Sequence, residues 1–200
     1  MNTRLAQEMP RLAPPGAGLP WLEMRMARLG FGWLERRTSR EQAAALLARE
    51  RDTILKLASR CDPETGSLRV LIDRLRGMED SSRFWSVFMT LDHLRIVNLA
   101  VSEVIRLLGV GQVPAREART ADVKPDAGVD RRVVDDFEGS CQRVELCSAA
   151  VPNLRTAHRF AHPWFGSLDG AGWHFLAGFH LQLHRRQIEQ ILRHLSVDRS

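Results

Sequence analysis

The sequence has no tyrosine, few cysteines and few lysines, and each shortage narrows the chemistry open to it. Without tyrosine, no phenol can serve as an acid, a base or a nucleophile. Three cysteines are an odd number, which argues against a disulfide framework and favours a reducing compartment. Only Lys56 and Lys124 are lysines among the 29 basic residues, so the positive charge is carried almost wholly by arginine.

Long apolar runs are also missing. No stretch approaches the ~18 consecutive apolar residues of a membrane-spanning helix, and the first 20 residues lack the apolar segment of a secretory signal. We therefore expect a cytoplasmic protein without a transmembrane segment. With 200 residues, 44% hydrophobic and 26% charged, the composition is that of one globular domain that folds on its own core.

The surplus of arginine does not by itself predict a nucleic-acid partner. The basic residues are scattered along the chain among 24 acidic residues, whereas a surface that follows phosphates needs its basic residues on one face. A nuclease with two metal ions would also need a cluster of carboxylates, which the sequence lacks. We expect no nucleic acid among the partners.

Four long segments carry apolar residues at helical spacing, at 39–61, 82–108, 129–151 and 169–195. Ser39 and Gln42 have the spacing of a capping box at the first of these starts, and Asp169 is the expected N-cap of the last. No segment alternates as a strand does, and no repeat of 20–50 residues occurs. The sequence predicts an all-α fold, a four-helix bundle with long crossover connections.

We divide the chain into an N-terminal extension, 1–38, and the bundle, 39–200. Within the extension, 20–37 predicts a short amphipathic helix broken around Gly30 and Gly32. This helix would pack on the bundle, on a partner or on a membrane surface, and we favour the first. A short helix at 68–75 and an irregular stretch at 152–167 complete the expected organisation.

Three of the seven histidines fall on the inward faces of predicted helices. His93 follows the apolar stripe of the second long helix, and His180 and His184 lie one turn apart on the stripe of the last. A second pair with the same spacing, His158 and His162, precedes a proline, which disfavours helical geometry at the residue before it. We expect that second pair to lie in a loop.

Three buried imidazoles are costly unless each finds a partner, and one divalent cation can serve all three. We therefore predict a metal site formed by His93, His180 and His184, with Gln187 or Glu50 orienting the second ring nitrogens. For Glu50, a position at the edge of its helix stripe with its carboxylate in solvent is the alternative. Three protein ligands leave coordination open, as catalytic sites do, and a bound water or thiol would lose its proton more readily.

Two segments carry a resemblance to a known family. Trp85 followed by His93-Leu94, and then HPWFGSLDGAGWHFLAGFHLQLHRRQIEQI at 162–191, resemble the DinB/YfiT-like family of bacterial four-helix-bundle metalloenzymes. The likeness covers roughly 40–195 and is most specific in the last forty of those residues. It implies the same three histidine ligands.

The resemblance also implies a class of chemistry. Relatives include S-transferases and isomerases that use low-molecular-weight thiols, and homodimers are common among them. The expected cofactor is a divalent transition metal, with zinc or nickel ahead of iron or manganese. We therefore expect a metal-dependent enzyme, a thiol-dependent S-transferase or a hydrolase, that acts on a small molecule. The alternative is a non-enzymatic metal-binding protein of the same family with a role in stress or interaction.

Overall fold

The computed structural model describes residues 10–197, which fold into six α-helices and two small antiparallel hairpins. The α-helices are α1 (Trp21–Arg37), α2 (Arg40–Ala58), α3 (Pro63–Ser67), α4 (Val87–Gly109), α5 (Val133–Ala150) and α6 (Gly170–Val197). The strands are β1 (Val70–Leu71), β2 (Phe84–Trp85), β3 (Phe160–His162) and β4 (Gly166–Leu168). Short 3-10 helices lie at Asp80–Ser82 and Thr120–Val123.

The four long helices α2, α4, α5 and α6 form a bundle, as the sequence predicts. Around the bundle the order is α2, α6, α4, α5, with each helix packed mainly on its two neighbours. The consecutive helices α2 and α4 therefore stand diagonally, as do α5 and α6. The connections between them cross an end of the bundle, and the prediction of long crossovers is confirmed.

Local hydrogen bonds fix where the helices begin. The Ser39 hydroxyl accepts from the Gln42 N–H at 3.2 Å, and the Gln42 side chain accepts from the Ser39 N–H at 2.8 Å. At the start of α6, Asp169 Oδ1 accepts from the Gly172 N–H at 2.9 Å. Both predicted caps are confirmed, and each satisfies a backbone donor that has no partner within its helix.

Three predicted segments differ from the structure because short strand pairings intervene. The second long helix begins after the cap Ser86, not at 82, because Phe84–Trp85 pairs with Val70–Leu71. That pairing also replaces the helix predicted at 68–75, and a short helix lies just before it at Pro63–Ser67. The stretch 152–167, predicted to be irregular, contains the β3–β4 hairpin except for its last residue, Leu168. Strands of two or three residues are too short to show an alternating pattern.

The helix α1 is continuous from Trp21 to Arg37, so the predicted break at Gly30 and Gly32 is wrong. Phe31 lies between the two glycines and is only 2% exposed. Its ring contacts three aromatic rings of the bundle, those of Phe165, Phe175 and Phe179. This packing outweighs the weak helix propensity of glycine, which is a preference of only about 1 kcal/mol per residue.

The core lies between the four bundle helices and is filled by aliphatic and phenylalanine side chains. The largest side chains that are fully enclosed include Phe88, Leu91 and Leu94 of α4, next to His93. Among the described residues, no helix combines the length and the apolar character needed to traverse a bilayer.

Gly178 lets α6 approach α2 closely, and this contact gives a test of the packing. A Cβ atom at Gly178 would lie 2.8 Å from Leu46 Cγ and 2.9 Å from the backbone nitrogen of Leu47. We expect Gly178→Ala to lower the free energy of unfolding by about 1–3 kcal/mol, because the two helices must separate. Urea unfolding followed by circular dichroism measures the change.

The matched control is Gly139→Ala, on the exposed face of α5. An added Cβ there has no neighbour within 4 Å, so the helix propensity of alanine should stabilise the protein by about 0.5–1 kcal/mol. Equal midpoints for the two variants would contradict the close approach of α2 and α6.

Candidate metal centre

The neighbouring helices α4 and α6 bring the three predicted histidines together. The Nε2 atom of His180 lies 3.2 Å from Nε2 of His93 and 3.1 Å from Nε2 of His184. Each histidine can offer one ring nitrogen to a cation, and these three nitrogens lie within 4.8 Å of one another. His93 and His184 are buried, and His180 is partly buried between them.

Hydrogen bonds at the opposite ring nitrogen fix the tautomer of His93. Its Nδ1 lies 2.6 Å from the carbonyl oxygen of Val123, which can only accept. His93 therefore carries its proton on Nδ1, and the lone pair of Nε2 points toward the other two histidines.

A chain of two hydrogen bonds does the same for His184. The Gln187 side-chain nitrogen donates to the carbonyl oxygen of Ser82 at 2.7 Å, which sets the orientation of the carboxamide. The Gln187 Oε1 atom then accepts from His184 Nδ1 at 2.6 Å. The Nε2 atom of His184 is left with a free lone pair directed at His180.

Burial keeps all three imidazoles neutral. Loss of hydration lowers the pKa of His93 to about 4, an effect that the Val123 carbonyl only partly opposes. Burial also holds the pKa values of His180 and His184 well below the ordinary value, and repulsion from neighbouring histidines adds to the effect. Neutral imidazoles with free lone pairs are the form that binds a cation.

The chemistry of this cluster fits a divalent cation. Two lone pairs point at His180, whose Nε2–H could donate to only one of them, and the buried Nδ1 of His180 has no hydrogen-bond partner within residues 10–197. The nitrogen separations also suit shared ligation, because metal–nitrogen bonds of 2.0–2.1 Å place tetrahedral ligand atoms about 3.3 Å apart. One cation would satisfy all three lone pairs.

The two residues proposed to orient the ligands lie in different surroundings. Gln187 is fully buried and contacts His184 directly. Glu50 is also buried, and its carboxylate accepts from the Arg185 Nε–H at 2.7 Å, so it joins α2 to the residue that follows His184.

The connection between α4 and α5 supplies the carbonyl that orients His93. Asp92, the neighbour of His93, accepts from the Asp126 N–H at 2.9 Å and from Arg95 at 2.8 Å. The bond from Asp126 attaches the segment that contains Val123 to α4. Nothing in the sequence indicates this role, because a backbone carbonyl has no side-chain signature.

Trp85 packs on the histidines, although it lies in β2 and not on α4 as predicted. Its ring is stacked over that of His184 with centroids 6.1 Å apart and lies 5.1 Å from that of His93. The indole thus excludes water from one side of the cluster.

A cavity of about 530 Å³ opens over the three histidines. Aromatic side chains form much of its wall, from Trp85, Phe160, Trp164, Phe165, Trp173 and Phe179. Ala27 of α1 also contributes to the wall. A volume of this size and an apolar wall are typical of a site for a small molecule.

His162 and Glu79 are among the further polar residues that line the cavity, and the sequence does not predict either of them as a site residue. His162 is the last residue of β3, so the prediction that it lies in a loop is wrong, whereas His158 lies outside any helix or strand and the prediction is confirmed for it. The Nδ1 atom of His162 accepts from the N–H groups of Trp164 and Phe165, which leaves the proton on Nε2. The signal for His162 was present in the His-Pro-Trp-Phe segment.

Glu79 is 8% exposed and has one carboxylate oxygen without a partner. Its Oε2 accepts from the Gly16 N–H and from the Ser81 hydroxyl, both at 3.2 Å, whereas Oε1 is buried and has no hydrogen bond among the described residues. The charge of Glu79 acts on the pKa of both His93 and Lys124, which places it near each of them. No sequence pattern marks Glu79, which lies in the connection between β1 and β2, directly before the 3-10 helix Asp80–Ser82.

Comparison with known proteins supports the fold alone. No family model matches the chain, and no curated protein matches it. Among solved structures it is similar to TT2238, a four-helix bundle protein, with 19% identity and a TM-score of 0.55. The likeness covers 76% of this chain and 98% of that one. The four-helix bundle is thus shown, and the likeness to the DinB/YfiT-like family stays a prediction.

The bond between Gln187 and His184 gives a test of the ligand geometry. We expect Gln187→Leu to weaken zinc binding by about 10- to 100-fold, because His184 loses the acceptor that fixes its ring. The unpaired Ser82 carbonyl should also lower the free energy of unfolding by about 1–3 kcal/mol. Competition with a chromogenic chelator measures the affinity.

Gln190→Leu is the matched control on the same helix, since Gln190 Oε1 is buried and has no hydrogen-bond partner in the described part of the chain. It should leave zinc affinity unchanged. An equal loss of affinity in both variants would assign no orienting role to Gln187.

Proposed function

We propose that this chain is a divalent-metal-dependent enzyme that acts on a small molecule bound in the cavity over the three histidines. The observation that carries the proposal is the convergence of His93, His180 and His184, with lone pairs of two rings directed inward by Val123 and Gln187. The cavity gives these nitrogens access to a ligand.

His93, His180 and His184 would hold the cation, and three protein ligands leave a position for another molecule. A divalent cation there acts as a Lewis acid and lowers the pKa of a water or thiol. Imidazole ligands suit zinc and nickel, and also iron, so we place zinc or nickel first and iron or manganese second.

The chain itself contributes binding and proton transfer. The aromatic wall surrounds the apolar body of the substrate and excludes water. Glu79 Oε1, which has no hydrogen-bond partner among the described residues, accepts the proton that a thiol or water loses. The Nε2–H group of His162 donates a hydrogen bond to an oxygen of the substrate.

Two reaction types agree with this arrangement, transfer of a low-molecular-weight thiol to an electrophile and hydrolysis. We favour thiol transfer, because the resemblance in the last helix implies it and the apolar wall suits an electrophile with an apolar body. The alternative is a metal-binding protein without turnover, with a role in stress or interaction. A homodimer and a cytoplasmic location stay predictions from the resemblance and from the composition.

Metal uptake tests the ligand set. Protein purified without chelators and reconstituted with zinc should hold about one equivalent and unfold at a higher temperature with metal than without it. His184→Ala should lose both the bound metal and the metal-dependent rise in the unfolding temperature. Elemental analysis and calorimetry give the two measurements.

His194→Ala is the control for metal uptake, since His194 lies exposed near the end of the same helix. It should bind zinc like the unchanged protein. Less than roughly a tenth of an equivalent of zinc, nickel, iron or manganese after reconstitution would contradict the proposal.

Turnover tests the role of Glu79. Metal-loaded protein should transfer glutathione, mycothiol or bacillithiol to at least one aromatic electrophile, and Glu79→Gln should lower kcat by about 10²–10⁴-fold. Because Glu79 is not a ligand here, the variant should keep its zinc affinity. Normal turnover by Glu79→Gln would remove Glu79 from the mechanism, and no turnover of any pair would favour the non-enzymatic alternative.

A further inference from the structure

The outward face of α1 exposes an unusual amount of large apolar surface. Trp21, Met26 and Leu29 are 72%, 63% and 68% exposed. Leu22, Trp33 and Leu34 of the same helix are also exposed. Single apolar side chains on a surface need no explanation, but several on one helix of 17 residues mark an interaction site.

These side chains form a stripe with arginines on both sides. Leu22, Met26, Leu29 and Trp33 follow one another at steps of four, three and four, so they lie on one side of the helix. At 100° per residue, Arg25 and Arg36 lie along one edge of this stripe and Arg37 along the other. All three arginines are exposed.

Both acidic residues of α1 are paired with the rest of the protein. Glu23 accepts from Arg74 at 2.6 Å and from the Gly77 N–H at 2.6 Å, and Glu35 pairs with Arg155. Neither carboxylate therefore offsets the charge of the outward face. That face carries positive charge alone around its apolar stripe.

A second copy of the chain fits this face poorly. A twofold interface places a patch against the same patch of the partner. Here that contact would bring arginines against arginines with no carboxylate of α1 to separate them, and like charges across an interface are unfavourable. The surface complementary to this face is apolar in its interior and negative at its boundary.

We propose that α1 binds the surface of an anionic membrane. The helix lies in the plane of the bilayer surface, with Leu22, Met26, Leu29 and Trp33 at the boundary between headgroups and acyl chains. Arg25, Arg36 and Arg37 contact lipid phosphates. Phe31, the pair of Glu23 with Arg74 and the bond from Arg28 to the Trp164 carbonyl hold the helix in place before it meets lipid, so binding requires no folding.

Flotation of the whole chain with lipid vesicles tests this proposal. Vesicles of phosphatidylcholine with about a third phosphatidylglycerol should bind the protein, pure phosphatidylcholine should bind it at least about tenfold less, and added salt should weaken the binding. Leu29→Gln and the double variant Arg25→Glu/Arg36→Glu should each lower partitioning by about tenfold or more.

Two controls lie on α5, away from α1. Leu146 is 69% exposed and Arg143 is also exposed, so Leu146→Gln matches Leu29→Gln in exposure and in chemical change, and Arg143→Glu reproduces one of the two charge reversals of the double variant. Both should bind vesicles like the unchanged protein. Circular dichroism and thermal unfolding confirm that each variant is folded.

Three results would overturn the proposal. They are equal binding to neutral and anionic vesicles, equal loss of binding in test and control variants, and a stable dimer that Leu29→Gln dissociates. The last result, seen by light scattering, would assign the stripe to a second copy. Vesicle binding does not depend on the metal, so it is distinguishable from failure of the proposed activity.

Discussion

Three imidazole rings lie side by side where α4 meets α6, two of them buried and His180 partly buried, and much of the surrounding structure supplies the hydrogen bonds that this burial requires. A buried ring nitrogen loses its hydrogen bonds to water, and apolar side chains offer none to replace them, so burial without a polar partner destabilises the fold. The Val123 carbonyl meets this need for His93, and the path from Ser82 through Gln187 meets it for His184. The connections before α4 and after it are therefore parts of the site and not only links between helices.

The sequence was sufficient to predict features that depend on local spacing. The capping box at Ser39, the cap at Asp169 and the inward faces of α4 and α6 all follow from residues within one or two turns of each other. The convergence of His93 with the pair on α6 follows too, because inward faces of neighbouring helices share one core.

Features that depend on contacts between distant segments were missed. The strands at Val70–Leu71 and Phe84–Trp85 stabilise each other across 12 intervening residues and have no pattern of their own. The glycines of α1 predict a break, but the packing of Phe31 on the bundle decides the outcome. Glu79 lines the cavity because of how the connection between β1 and β2 packs on the bundle, which local sequence does not determine.

The positions of the histidines on α6 depend on the distance between α6 and α2, and Gly178 sets that distance. Gly178 lies two residues before His180 on the same helix, and its lack of a side chain sets how closely α6 rests on α2. A larger residue there would push α6 as a rigid rod and carry His180 and His184 with it, while His93 stayed on α4. A shift of α6 that is small enough for the bundle to stay folded can therefore already separate the three nitrogens too far for them to share one cation.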